Sequence, residues 1–314
     1  PFWSIFIPSP VPALSTFIVS AGSSLVLSTV NQKLMPDIAL PDVGTSLQPN
    51  TTVTVKEPTQ PHRVVYGKTR VGGNIVFAET TDDQQYLHLV ITFTGHEISD
   101  FSRIYFGEDE VVLETSSNDS NGVPIFTPVS ANTYNGKARI KKHLGFDDQL
   151  ADANLVSDVT QWTTNHRLRG RAYLYVRLDF DSDIYPNGVP NVTAEIEGKK
   201  LFDIRQTSFT ANSTNVSTSN NTITLSSHGL STYDRFKYDT NSGTAIGGLT
   251  NGTEYFVIKV DNNTIKLATN YANALAGTAI SLTSAPGSDQ TQKYNFTKHS
   301  TNPALAFRDY LTNT

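Results

Sequence analysis

Across residues 163–178 apolar and polar side chains alternate with a period of two, the cleanest such run in the chain. Leu168, Gly170, Ala172, Leu174, Val176 and Leu178 fall on one side; Arg167, Arg169, Arg171, Tyr173, Tyr175 and Arg177 fall on the other. Only an extended strand places every second residue on one face, whereas a helix would scatter both sets around its axis. Leu87, Leu89, Ile91 and Phe93 repeat the pattern within residues 86–93. Residues 103–106, 107–110 and 111–113 read as a hairpin with a charged tip. Composition agrees, with 39 Thr and 10 % aromatics against a single Met, because branched and aromatic side chains suit a pleated, half-buried surface. Short helices are expected at 147–156 and 303–311, the second with Asn302 as N-cap and Pro303 in its first turn. The expected fold class is mainly β and multi-domain, with few short helices.

The chain of 314 residues contains no cysteine, which excludes a disulfide scaffold, a thiolate metal site and a cysteine nucleophile. Its net charge of −5 argues against broad binding to nucleic acid through phosphate neutralisation. A Pro at position 1 is expected of a fragment or a processed form. No charged residue precedes Lys33. Residues 11–30 are long and apolar enough to suggest a membrane span, but Pro8, Pro10 and Pro12 and the serines at 15, 20, 23, 24 and 28 dilute that signal. A buried or partner-covered arm is the preferred reading, followed by an extended Pro-rich linker over 40–61.

A composition break lies inside the chain. Residues 206–296 hold 38 of the 91 Thr, Ser and Asn residues, with five basic and five acidic side chains. Short strands are expected there at 222–225, 235–238, 254–260, 264–268 and 279–283, with a turn at 260–264. The expected organisation is an apolar arm and linker over 1–61, a β-domain over 62–205 plus 297–314, and an inserted Thr/Asn-rich β-module over 206–296.

Several segments then carry a family resemblance. His62-Arg-Val-Val-Tyr-Gly-Lys-Thr-Arg-Val-Gly-Gly73, Leu87-His-Leu-Val90, Gly95-His-Glu-Ile-Ser-Asp100 and Ile104-Tyr-Phe106 resemble, in order, the central tail hub or tip attachment protein J of lambda-like long-tailed phages. So do Trp162-Thr-Thr-Asn-His-Arg-Leu-Arg-Gly-Arg-Ala-Tyr173, Pro186-Asn-Gly-Val-Pro190 and Asn302-Pro-Ala-Leu-Ala-Phe-Arg-Asp-Tyr-Leu311. The resemblance implies a structural virion protein: a homotrimeric tail-tip (baseplate) hub closing the tail tube, assembled in the host cytoplasm and linked to host-attachment parts. Implied partners are further copies of the chain, other tail-tip proteins such as the distal tail and tape-measure proteins, and a host receptor reached through distal domains expected to be absent beyond Thr314. It implies no enzyme activity, no cofactor and no specific nucleic acid. The inserted segment, with Gly243-Thr-Ala-Ile-Gly-Gly-Leu-Thr250 and Tyr271-Ala-Asn-Ala-Leu-Ala-Gly277, looks like a β-module repeated in phage tail proteins.

Candidate chemistry is sparse. Arg167, Arg169, Arg171, Tyr173, Tyr175 and Arg177 form a one-sided polar face, read either as a groove for single-stranded nucleic acid or, preferably, as an interface with paired carboxylates. Asp179, Asp181 and Asp183 have calcium-like spacing, but Ile184 stands where the calcium loop needs Gly, so a solvated strand end is expected. Glu108, Asp109 and Glu110 offer carboxylates for glycoside cleavage, but adjacent acids on a hairpin tip are expected to be solvated. The seven histidines show no zinc spacing. The alternative function is a carbohydrate-binding surface protein, motivated by the neutral Thr/Asn-rich insert.

Overall fold

Strand Ala172–Asp179 lies at the centre of the first folded unit, and its chemistry explains the unit's layering. The computed structural model describes residues 5–6, 54–56 and 62–312. The apolar arm, the candidate span at 11–30 and most of the linker therefore lie outside the described residues. Contacts divide the chain at Lys199/Lys200 into two units.

The strands of the first unit are β1 (Ile5–Phe6), β2 (Arg63–Val64), β3 (Lys68–Gly72), β4 (Asn74–Thr81), β5 (Tyr86–Thr94) and β6 (Asp100–Phe106). They continue with β7 (Asp109–Glu110), β8 (Leu113–Asn118), β9 (Pro124–Pro128), β10 (Ala138–Leu144), β11 (Ala172–Asp179) and β12 (Val192–Glu197). One short helix, α1 (Ala153–Asp158), precedes β11. A six-stranded sheet runs β4-β5-β11-β10-β9-β8 and a four-stranded sheet runs β3-β12-β6-β7, while β1 pairs with β2. Among the described residues these strands all pair antiparallel, and Val55 adds one isolated parallel bridge to Asn74.

Phe93 on β5 meets Phe101 on β6 edge to face, with centroids 5.3 Å apart, so aromatic packing joins the two sheets. The other face of the six-stranded sheet is covered too. Val90, Tyr173 and Tyr175 form a buried cluster with Leu155 of α1, Val159 and Trp162. Both faces of β5 and β11 are thus enclosed, which is why Tyr173 and Tyr175 are buried as completely as Leu174 and Val176.

The strand expected over 163–178 starts only at Ala172. Leu168 and Gly170 adopt left-handed backbone, with φ of +46° and +69°, which ends any extended run. Gln149 fastens this loop from below, donating to the carbonyls of Arg167, Leu168 and Arg171 while accepting the Gly145 N–H. The expected hairpin is present with a shorter tip: Phe106 pairs with Asp109 and Tyr105 with Glu110, leaving Gly107 and Glu108 at the turn, Gly107 at φ +63°. The helix expected at 147–156 is instead 153–158, where Asp152 caps it by accepting the Leu155 N–H.

The second unit contains β13 (Leu201–Phe202), β14 (Thr207–Ala211), β15 (Val216–Ser217), β16 (Thr222–Thr224), β17 (Arg235–Asp239), β18 (Glu254–Lys259), β19 (Thr264–Ala268) and β20 (Gln290–Lys298). Its helices are α2 (Tyr271–Leu275) and α3 (Pro303–Thr312). The sheet order is β13-β20-β17-β18-β19-β16-β15, with β14 also on β20. β14 and β15 stand at opposite ends of the strand path from β14 through β20 to β15, yet only Asn212, Ser213, Thr214 and Asn215 join them. Five residue steps reach at most about 17 Å, whereas seven strands laid flat would span about 29 Å. The sheet must curl on itself. Inside the curl lie Val216, Ile223, Phe236, Tyr238, Val257 and Ile265, all nearly or fully buried.

Four expected strands of this unit are present in place; residues 279–283 instead form no named strand, and the next residue, Ser284, makes an isolated bridge to Gly247. The chain passes closely here: a Cβ on Gly248 would lie 2.3 Å from the Ser281 carbonyl oxygen. β20 pairs with β13 and β17 over residues on both sides of the composition break. Residues 200–205 and 297–312 accordingly belong to this unit rather than to the first. Helix α3 begins as expected, with Asn302 accepting the Ala304 N–H ahead of Pro303.

Candidate functional site

The densest chemistry lies on β10, whose Lys141 and His143 point to the face that α1 covers. Lys141 pairs in register with Tyr175 and His143 with Tyr173, so these four side chains share that face. His143 stacks on Tyr173 with ring centroids 4.2 Å apart. Lys141 Nζ lies 2.8 Å from Asp152 Oδ2 and also contacts Asp119 Oδ2. His143 Nε2 donates to the same Asp152 oxygen at 2.7 Å. Asp119 sits in the turn between β8 and β9, where its Oδ1 accepts the N–H groups of Asn121 at 2.9 Å and Val123 at 2.8 Å. The side chains of Lys141, Asp119 and Asp152 are 0 %, 1 % and 0 % exposed.

Burial alone would push the Asp152 carboxyl up; hydrogen bonds from His143 and Lys141 and the positive charge beside it outweigh burial and hold it at about 2. Next to this cluster, Tyr175 Oη takes a hydrogen bond from Arg139 and contacts His88 Nδ1 at 2.8 Å, while Arg139 pairs with Asp158. His88 Nε2 reaches Thr81 Oγ1 at 2.9 Å. Arg139 and Asp158 keep partly exposed side chains, at 16 % and 28 %, whereas Lys141, Asp119 and Asp152 are closed to solvent.

The six residues of the expected interface face do not form one surface. Tyr173 and Tyr175 are buried against α1. Arg167 and Arg169 lie on the loop before β11, Arg167 donating to the Thr164 carbonyl. Arg171 holds His62 Nε2 at 3.2 Å. Arg177 lies over the Tyr86 ring at 4.4 Å. Period-two spacing misassigned the tyrosines because both sheet faces are covered.

The acidic candidates are engaged one by one. Glu108 pairs with Arg70 at 3.2 Å and Glu110 with Arg103 at 3.7 Å, while Asp109 accepts from the Tyr134 hydroxyl at 3.5 Å. Asp181 pairs with Lys137 and accepts the Asp183 N–H, forming the turn that follows β11. Among the described residues no group of three or more His, Asp or Glu side chains could hold a metal, and no helix is long and apolar enough to cross a membrane. A polar cleft beside His62, Arg63, Asn74 and Thr92 has ≈ 20 Å³ of room, enough for one water molecule.

The sequence segments singled out earlier meet around His62. A Cβ on Gly95 would lie 2.6 Å from His62 Cβ, so the two residues are in close contact. His96 Nε2 accepts the Val65 N–H at 2.9 Å. Arg171 closes the group from the loop before β11. Residues from three separated segments thus form one contact set.

No family model matches the chain, and no curated protein matches it. Among solved structures it is similar to a chain described as "Virion of native gene transfer agent (GTA) particle", with 19 % identity and a TM-score of 0.34. The similarity covers 57 % of this chain and 36 % of that one.

Proposed function

We propose that this protein is a non-enzymatic structural component of a virion, the tail-tip hub of a long-tailed phage, acting as a homotrimer. The observation that carries this reading is the convergence at His62. The segments around His62, Gly95 and Arg171 are those that resemble the hub family, and they are far apart in sequence yet pack on one another. The resemblance therefore follows a three-dimensional contact set rather than a single local motif.

The sheet edges suit such a role. β8 ends the six-stranded sheet and is exposed from Glu114 to Asn118. An open edge carries unpaired N–H and C=O groups, the kind of surface that adjoining subunits of a ring cover. In this reading Arg169, exposed on its loop, is a candidate for contact with acidic neighbours, and no nucleic acid is recognised by sequence. Light scattering on the purified chain is expected to give three copies of the 34.4 kDa subunit. A monomer across the accessible concentration range contradicts the proposal.

A further inference from the structure

We propose that Lys141 and Asp119 are joined by an intramolecular isopeptide bond, formed by the folded chain itself. Three features of the buried cluster point to this. Lys141 Nζ touches a carboxyl oxygen of Asp119 with water excluded from both groups. The other oxygen of that carboxyl, Oδ1, is held by the N–H groups of Asn121 and Val123. A second carboxylate, Asp152, lies 2.8 Å from the same nitrogen.

Each feature has a chemical role. The pair of N–H donors polarises the Asp119 carbonyl and is placed to hold an oxyanion on Oδ1. In the first step one proton passes from the ammonium to Asp119 across their direct contact, which leaves a neutral amine beside a carboxylic acid. The amine lone pair then attacks Asp119 Cγ, forming the Nζ–Cγ bond. Asp152 accepts the proton released by nitrogen and delivers it to Oδ2 of Asp119, whose bond to Cγ breaks as water leaves. Amine and acid become amide and water, with nothing oxidised or reduced. The product removes one positive and one negative charge from the interior. Asp152 Oδ2 lies 2.8 Å from Lys141 Nζ and 2.7 Å from His143 Nε2, which places it to carry the proton. In a chain with no cysteine, the bond would staple the β8–β9 turn to β10 without redox chemistry.

Intact-mass measurement of the purified full chain tests this directly. The expected mass is that of the sequence less one water, about 18 Da, and proteolysis is expected to release a branched peptide joining the segments that carry Asp119 and Lys141. Lys141→Met is expected at full sequence mass. Asp152→Asn keeps an oxygen to cap α1 but cannot carry the proton, so the bond is expected to form about a hundredfold more slowly. A wild-type chain at full sequence mass overturns the proposal. So does a water loss mapped elsewhere, for example to ring closure at an Asp or Asn in a turn. Bond formation in Asp152→Asn at the wild-type rate overturns the role of Asp152.

Discussion

Replacing Asp152 with alanine is expected to destabilise the first unit by about 3–5 kcal/mol, because it breaks a buried charge network by removing one partner. Asp152 serves three donors at once: the Leu155 N–H that opens α1, His143 Nε2 and Lys141 Nζ. Loss of the cap alone costs about 1 kcal/mol, and His143 and Lys141 lose a carboxylate that no solvent replaces at 0 % exposure. If Lys141 is joined to Asp119, the cap and the His143 contact are still lost, so the direction is unchanged. Asp152→Asn retains an oxygen for the Leu155 N–H and is expected to cost less than Asp152→Ala. Urea midpoints of the two variants check the ordering; a change under about 1 kcal/mol in Asp152→Ala would contradict the structural role.

Acidification is expected to weaken the protein in two separate windows. His88 is 1 % exposed and bonded to Thr81 and Tyr175. Burial, reinforced by Arg139 and Arg177 and opposed by Asp158 and Asp82, lowers its pKa from 6.5 to about 4. The unfolded chain therefore takes up this proton first as pH falls. The stability from a neutral His88 is complete above about pH 6.5 and is lost as pH drops towards 4. A shift of that size is equivalent to about 3 kcal/mol. His62, held below its ordinary value by burial and by Arg171, adds a loss of the same sign. Asp152 acts later: its stabilisation is present above the unfolded value of 3.8 and disappears as pH falls through about 2. His88→Gln keeps groups able to bond Thr81 and Tyr175 but does not titrate. Its urea midpoint is expected to change less than the wild-type midpoint between pH 7 and pH 4.5, and an unchanged slope would contradict the assignment.

What the sequence made legible divides along physical lines. Strand β19 and the turn before it were readable because the Asp261 side chain accepts the Asn263 N–H in a local turn of the kind Asp and Asn favour. The start of α3 was readable for the same reason, since Asn302 caps it locally. β20 was not readable: Gln292 and Asn295 are buried and hydrogen-bonded, Gln292 to the Tyr238 hydroxyl and the Thr244 carbonyl, so its inward side chains look polar. The Lys141 cluster was hidden likewise. A lysine and a histidine on the polar side of a strand signal solvent, and only the packing of α1 shows that this face is covered. Residues Asp119 and Asp152 reach Lys141 from distant turns, a juxtaposition that no local pattern encodes.

The proposed assembly is a three-fold hub at the end of a phage tail. Image averaging of tails from particles that carry this chain tests it most directly. Three copies in a closed ring at the tail tip, each accommodating the first unit's paired sheets, is the expected result. Density for the chain in the capsid or along the tail tube, or its absence from purified particles, would contradict it.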